Sequence, residues 1–274
     1  MAYTANEVLF AFSLTLFAGL ATGVGSALAF FAKQTNIRFL TASLGFSAGV
    51  MIYVSMVEIF VKGRDALESA AGSSLGYLYT TLAFFCGILI IAIIDKLVPS
   101  FENPHEIHDL SEMAPVDAVE AKKRKNLHRM GIFSALAIAI HNLPEGLATF
   151  VGGLQDPALG MSIAIAIAIH NIPEGIAVSV PLYYATGSKK KAFFYSFLSG
   201  LSEPIGAMIG YFLLFRYFND FIFGLLFAVV AGIMVFISLD ELLPTAEKYG
   251  EHHVAMYGVV TGMAVMAISL VLFV

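Results

Sequence analysis

Charged side chains are scarce in this sequence: 13% of the 274 residues are Asp, Glu, Lys or Arg, and 58% are hydrophobic. A soluble domain of this size carries about 25% charged residues. The chain therefore lacks the polar groups needed to cover a water-exposed surface. Its formal net charge of −5 is modest, and we expect no nucleic-acid partner. The composition excludes a soluble globular domain and favours a protein embedded in a membrane.

Cysteine is nearly absent as well. The one cysteine, Cys86, lies in an apolar run, so no disulfide can form within the chain and the redox compartment is not indicated. We expect Cys86 to pack or to face lipid. The N-terminus lacks a basic segment, and its first apolar run is long enough to span a bilayer. We therefore expect no cleavable signal peptide.

Long apolar runs take the place of the missing polar residues. A helix needs about 20 apolar residues to cross a bilayer, and breaks at Gly, Pro and charges divide the chain into eight such segments. The sequence predicts an all-α polytopic membrane protein with one transmembrane domain, residues 1–274, and a polar loop at about 99–128. The predicted segments are 7–32, 38–61, 75–98, 129–152, 158–186, 189–215, 220–243 and 254–274.

The distribution of Lys and Arg predicts the orientation. With both termini on one side, the opposite side holds 12 of the 15 Lys and Arg residues, including the run Lys122 to Lys125 and the run Lys189 to Lys191. Because cytoplasmic loops carry the excess of basic residues, we expect both termini to face outward. The loop at 99–128 is then cytoplasmic, in a multi-pass protein of the plasma membrane.

Two apolar segments repeat the same polar residues. AIAIHNLPEGLA covers residues 137–148, and AIAIHNIPEGIA covers residues 166–177. Residues four apart share one face of a helix, so each copy presents a His, an Asn and a Glu on one side. A proline in each copy removes one backbone hydrogen bond and frees the carbonyl of Ile140 or of Ile169. The spacing predicts two matched polar faces at mid-membrane depth.

These faces favour a bound divalent cation. An ionised carboxylate at the bilayer centre costs about 2.5–3.5 kcal/mol, and two facing carboxylates repel each other. One divalent ion resolves both problems, and two imidazoles with two carboxylates suit zinc, although iron, cobalt, nickel and manganese accept the same ligands. The first candidate site is His141, Glu145, His170 and Glu174.

A third acidic residue precedes a proline in the sixth segment. Glu203 lies in LSEPIGA and, with Asn142 and Asn171, offers oxygens for a second site that shares Glu145 and Glu174. Three other readings stay open: a structural His–Glu hydrogen bond, a metal-free proton relay in a proton-coupled solute carrier, and a metal-dependent intramembrane hydrolase. The zinc-hydrolase pattern HExxH is absent, and the candidate site has no spare base.

These motifs resemble a known family. HNLPEG at 141–146, HNIPEG at 170–175 and SEP at 202–204, set in eight spans with a long third loop, resemble the ZIP family of divalent metal transporters and, within it, the bacterial ZupT-type branch. The resemblance covers essentially the whole chain. It implies a fold in which helices 1–3 and 6–8 form an inverted repeat around a central helix pair, 4 and 5. It also implies uptake of metal into the cytoplasm.

The resemblance carries residue roles as well. It implies a first site of His141, Glu145, His170 and Glu174, and a second site of Asn142, Glu145, Asn171, Glu174 and Glu203. One branch of the family carries HExxH in its fifth helix. Asn171 occupies the position of that glutamate here, so selectivity is not carried over from that branch. Zinc or another divalent metal is expected as a transported substrate and not as a cofactor.

Other polar residues in the apolar segments are candidates for the entry or the exit of the ion. Glu58 lies toward the outer end of the second segment, and Asp240 and Glu241 lie toward the cytoplasmic end of the seventh. Solvation of the helix ends explains them equally well. His105 and His108 lie in the long loop, as metal-capturing residues or as plain linker. The expected partners are divalent metal ions and the lipid bilayer, and a homodimer is left open.

Overall fold

A computed structural model describes residues 3–29, 37–97, 139, 142–214, 219–249 and 252–273. Within these ranges the chain is helical, with short connections and no strand. The helices are α1 (Ala5–Ala29), α2 (Ile37–Val54), α3 (Phe60–Ala71), α4 (Ser73–Leu97), α5 (142–155), α6 (Pro157–Thr186), α7 (Lys189–Gly200), α8 (Ser202–Ile209), α9 (Asp220–Ile237), α10 (Leu243–Tyr249) and α11 (His252–Phe273).

Each of the eight predicted segments overlaps at least one of these helices, so the all-α fold class is confirmed. Six helical stretches in the described residues are long and apolar enough to cross a membrane. The chain is therefore a multi-pass membrane protein. The six stretches are Ala5–Ala27, Thr41–Ala71, Ser73–Lys96, Pro157–Ile176, Asp220–Glu247 and His252–Leu272.

The second helical segment is longer than the sequence predicts. The apolar run ends at residue 61, before Lys62, but the helix continues through α3 to Ala71. Gly63 and Leu67 are buried on one face of α3, and α3 packs against α4 and α9. The charged residues of α3 occupy its other face, so this helix is amphipathic and packs through its apolar face.

Local signals fix the ends of α6, which carries the second polar motif. Asp156 caps its N-terminus by accepting a hydrogen bond from the N–H of Ala158, and Pro157 occupies the first turn, where proline costs nothing. Gly187 ends the helix in a left-handed conformation, with φ of 65°. Between these caps the helix continues through Pro173, so the proline does not break it.

Two π-helical turns interrupt the second and seventh segments. Residues Ser55–Ile59 and Ser238–Leu242 form them, and in each the first residue after the turn donates its N–H to a carbonyl five residues back. The hydroxyls of Ser55 and Ser238 donate to the carbonyls of Met51 and Met234, at 2.6 and 2.7 Å. The flanking sequences, AGVMIYVSMVEI at 48–59 and AGIMVFISLDEL at 231–242, are similar enough that the two turns are copies of one structure.

Close helix contacts also occur as a matched pair. A Cβ atom at Gly262 of α11 would lie 2.1 Å from the carbonyl oxygen of Phe46 in α2, and one at Gly87 of α4 would lie 2.1 Å from that of Val229 in α9. Such contacts exclude any larger side chain, because small residues are what let membrane helices approach closely. The α2–α11 and α4–α9 pairs therefore make matching contacts, as the predicted inverted repeat requires.

The central pair, α5 and α6, takes part in the same symmetry. A Cβ atom at Gly25 of α1 would lie 1.9 Å from the carbonyl oxygen of Ile172, and one at Gly206 of α8 would lie 2.1 Å from that of Leu143. Ile172 and Leu143 occupy the same position in the two polar motifs. Helix α1 thus meets α6 as α8 meets α5, and the two motifs lie at the centre of the repeat.

Candidate metal centre

Six candidate ligands lie inside the described structure. Each is at most 1% exposed: Asn142, Glu145, His170, Asn171, Glu174 and Glu203. Two come from α5, three from α6 and one from α8, so three separate helices deliver them to the interior. The seventh candidate, His141, lies outside the described residues.

The two motifs face each other. His170 Nε2 of α6 lies 3.3 Å from Glu145 Oε2 of α5, and both side chains are fully buried. The contact joins the imidazole of one copy to the carboxylate of the other, as the matched helical spacing requires. A histidine beside a buried carboxylate is a ligand pair suited to a borderline divalent metal.

Asn171 connects three helices through its amide nitrogen. Its Nδ2 donates to the carbonyl oxygen of Ala18 in α1 at 2.9 Å and also donates to Glu203 Oε1 of α8. An amide nitrogen has two N–H donors, so both are used. The amide oxygen of Asn171 has no hydrogen-bond partner among the described residues, and this arrangement leaves it available as a ligand.

Asn142 repeats this arrangement on the other side. Its Nδ2 donates to the carbonyl oxygen of Ser199 in α7 at 3.5 Å. Its amide oxygen likewise has no hydrogen-bond partner within the described part of the chain. A main-chain carbonyl of a neighbouring helix therefore orients both asparagines. Sequence reasoning named the two amides and missed Ala18 and Ser199, whose backbone atoms carry no sequence signal.

Two carboxylates also keep an oxygen without a partner. Glu145 Oε1 and Glu203 Oε2 are buried and make no hydrogen bond to any described residue. Leaving such oxygens unpaired in an apolar interior is costly, and a bound cation removes the cost. Among the described residues, His, Cys, Asp and Glu side chains alone form no group of three or more that could hold a metal ion. The buried oxygens without a hydrogen-bond partner also include the amide oxygens of Asn142 and Asn171.

Hydroxyl groups fix the backbone beside these ligands. Thr149 Oγ1 donates to the carbonyl of Glu145 at 3.0 Å, and Ser47 Oγ of α2 donates to the carbonyl of His170 at 3.3 Å. Neither residue is marked by the motifs, because the contact is with a main-chain oxygen. The Ser47 hydrogen bond ties α2 to the turn of α6 that carries His170.

Comparison with known proteins identifies the family. A family model described as "ZIP Zinc transporter" matches residues 96–270. The chain belongs to the ZIP zinc transporter family. It is 64% identical to the zinc transporter ZupT of Chlorobaculum parvum, over 98% of this chain and 99% of that protein. It is 62% identical to the zinc transporter ZupT of Clostridium perfringens, over 98% of both chains.

Membership of the ZIP family distinguishes between the functions that the sequence left open. ZIP proteins are transporters, so this ZIP chain is not an enzyme, and the hydrolase and proton-coupled carrier readings are not supported. Zinc is accordingly a transported substrate of the protein and not a bound cofactor.

The entry and exit candidates of this ZIP chain lie on the π-helical turns of the second and seventh segments. Glu58 is half-buried in the first turn, and Glu241 is buried in the second, next to an exposed Asp240. Glu58 and Glu241 occupy equivalent positions in the two similar stretches that contain the turns. The loop histidines His105 and His108 lie outside the described residues.

Proposed function

We propose that this ZIP transporter moves zinc, and with it related divalent cations such as iron, manganese, cobalt and cadmium, across the plasma membrane into the cytoplasm. The ion passes through a centre of two adjacent sites at mid-membrane. The observation that carries the proposal is the set of buried oxygens with no described partner, on Asn142, Glu145, Asn171 and Glu203, in a chain of a zinc transporter family.

The first site uses the ligands that suit zinc best. His141, Glu145, His170 and Glu174 supply two imidazoles and two carboxylates, the four-ligand set of a borderline metal. The contact between His170 and Glu145 across the two motifs, at 3.3 Å, supports a shared role for these residues. Two glutamates also balance the double charge of one ion.

The second site uses oxygens only. Asn142, Asn171 and Glu203 supply them, together with Glu145 and Glu174 shared from the first site. The nitrogens of both asparagines are held by main-chain carbonyls, which supports a ligand role for their free oxygens. Oxygen-rich sites also accept harder metals such as manganese.

The proposed route runs from Glu58 on the outer side to Asp240 and Glu241 on the cytoplasmic side. The equivalence of Glu58 and Glu241 in the inverted repeat supports matched roles, because an inverted repeat places equivalent residues on opposite sides of the membrane. The excess of Lys and Arg supports a cytoplasmic loop at 99–128 and external termini. We propose a homodimer as the oligomeric state, which cross-linking in native membranes tests.

Uptake of radioactive zinc into proteoliposomes tests the function. The wild-type chain should accumulate zinc, and Glu145→Gln should lose nearly all uptake because it removes a ligand shared by both sites. Glu68→Gln is the matched control: Glu68 makes a surface ion pair with Arg64 at 3.8 Å, and such pairs contribute little. Equal uptake by Glu145→Gln and wild type, at equal protein in the vesicles, would show that the centre is misassigned.

A further inference from the structure

Thr22 of α1 is buried at 0% exposure, and its hydroxyl has no hydrogen-bond partner among the described residues. Threonine in a helix normally donates to the carbonyl one turn earlier. Thr15, Thr80 and Thr149 all do so here, at 3.2, 2.8 and 3.0 Å. Thr22 is therefore an exception that requires an explanation.

The explanation lies in the neighbouring contact. The carbonyl one turn before Thr22 belongs to Ala18, and it accepts the amide nitrogen of Asn171 at 2.9 Å. The atom that a helical threonine would use is thus engaged by a candidate ligand. Two other buried hydroxyls of the described chain, those of Thr41 and Ser162, also lack a partner. Neither is equivalent by the repeat to a candidate ligand.

Thr22 is the counterpart of Glu203. Gly19 in α1 and Gly200 in α7 contact each other reciprocally: a Cβ atom at either would lie 2.3 or 2.4 Å from the carbonyl oxygen of the other. Three residues after each glycine come Thr22 and Glu203. Thr22 and Glu203 therefore occupy matching positions. The sixth segment supplies a carboxylate where the first segment supplies a hydroxyl.

Backbone contacts of the two residues confirm the correspondence. A Cβ atom at Gly175, next to Glu174, would lie 2.0 Å from the carbonyl oxygen of Thr22. A Cβ atom at Gly146, next to Glu145, would lie 2.0 Å from that of Glu203. Each residue therefore abuts the turn that carries one of the two shared glutamates.

The asparagines follow the same relation. Asn171 donates to Ala18, four residues before Thr22, and Asn142 donates to Ser199, four residues before Glu203. The second site thus has a pair of amides, a pair of shared glutamates and one unpaired member, Glu203. The position across the repeat from Glu203 is occupied by the hydroxyl of Thr22.

We propose that the Thr22 hydroxyl supplies the sixth oxygen of the second metal site, directly or through one water molecule, opposite Glu203. This inference rests on the proposed function. Six oxygens suit an octahedral metal such as manganese, whereas zinc is satisfied by four or five ligands. Thr22 accordingly widens the range of metals that the second site accepts.

Binding of Mn²⁺ to the purified full-length chain tests the proposal, by titration calorimetry with stoichiometry from mass spectrometry. Thr22→Val should weaken the weaker of two Mn²⁺ binding steps by about tenfold, the lower range for loss of a group that supports a metal site. Thr22→Ser keeps the hydroxyl and should bind as wild type. Thr15→Val is the matched control, since that hydroxyl serves only its own helix.

A carboxylate exchange tests the symmetry itself. Glu203→Thr should lose the weaker Mn²⁺ ion, and the double variant Glu203→Thr with Thr22→Glu should regain it. Wild-type Mn²⁺ binding by a folded Thr22→Val protein would overturn the proposal. If Glu145→Gln also bound two Mn²⁺ ions as wild type does, the proposed centre itself would be wrong. Loss in Glu145→Gln with no change in Thr22→Val would remove only the Thr22 assignment.

Discussion

Asparagine does at this centre what a further carboxylate could not. The amide nitrogens of Asn142 and Asn171 donate to main-chain carbonyls of neighbouring helices, so each side chain is fixed while its oxygen stays free. A carboxylate has no N–H with which to make that contact. It would also add charge to a cluster that already holds Glu145, Glu174 and Glu203. The neutral amide supplies an oriented oxygen without increasing the repulsion.

Removal of the carboxylate of Glu203 should empty one site selectively. Two divalent ions bring four positive charges against three glutamates, and Glu203→Gln widens the excess from one charge to two. We expect this variant to keep one tightly bound zinc per chain and to lose the second, with uptake reduced but measurable. Mass spectrometry of metal content, beside uptake rates, checks this. Two zinc ions held at wild-type affinity would exclude Glu203 as a ligand.

Replacement of the His170 imidazole should change the preference between metals as well as the rate of zinc uptake. His170→Ala removes a nitrogen ligand next to Glu145 and leaves a site richer in oxygen, which harder metals prefer. We expect weaker zinc uptake and a relative gain for manganese in competition assays. His252→Ala is the control, because His252 is exposed and pairs with Glu247 at 2.7 Å. An unchanged ratio of zinc to manganese uptake in His170→Ala would contradict the assignment.

At the scale of helices, small residues and not caps decide how the segments pair. The contacts of Gly262 with Phe46 and of Gly87 with Val229 bring helix backbones together. In lipid no hydrophobic force favours one apolar helix over another, so close packing of small residues selects the partner. The exposed faces of the same helices carry large apolar side chains such as Leu82, Phe85 and Val271, as lipid contact requires.

Alanine substitutions at equivalent glycines should destabilise the protein by similar amounts. Gly262→Ala and Gly87→Ala each place a methyl group about 2.1 Å from a carbonyl oxygen, and overpacking of this kind costs roughly 1–3 kcal/mol. We expect both variants to lose thermal stability in detergent by similar amounts. Ala264→Leu, on the exposed face of α11, should change little. A large loss in one glycine variant and none in the other would show that the two contacts are not equivalent.

At the scale of the whole molecule, several features of the described helices occur twice. The π-helical turns of the second and seventh segments, the glycine contacts described above and the two asparagine contacts each form a matched pair. An inverted repeat of this kind gives a transporter similar structures on the two sides of the membrane. The charges of the loops do not follow the repeat, and they alone set which side faces the cytoplasm.

Orientation can be measured with single cysteines. The native Cys86 is exposed, so it is first replaced by Ala. With both termini outside, Ser74→Cys at the start of α4 should react with an impermeant thiol reagent in intact cells. Lys190→Cys at the start of α7 should react only after permeabilisation, and both positions are exposed. Labelling of Lys190→Cys in intact cells, without labelling of Ser74→Cys, would reverse the proposed topology.

The sequence predicted the helices and most of the candidate centre for simple reasons. Apolar runs of bilayer length can form only helices in lipid, and a four-residue spacing places His170 and Glu174 on one face. The end of α3 escaped prediction because charges at Lys62 and Arg64 end an apolar run without ending a helix. The proposed role of Thr22 could not be predicted, because nothing in its local sequence distinguishes it from Thr15.

The sequence by itself determined that the chain is helical, crosses a membrane and carries two matched polar faces, since these depend on local composition and spacing. Only the tertiary structure decided which faces meet, because that choice depends on backbone contacts at glycines such as Gly146 and Gly175. It also decided that Ala18 gives its carbonyl to Asn171 and leaves Thr22 without its usual partner. A main-chain oxygen is the same at every residue, so its partner becomes known only when the helices are packed.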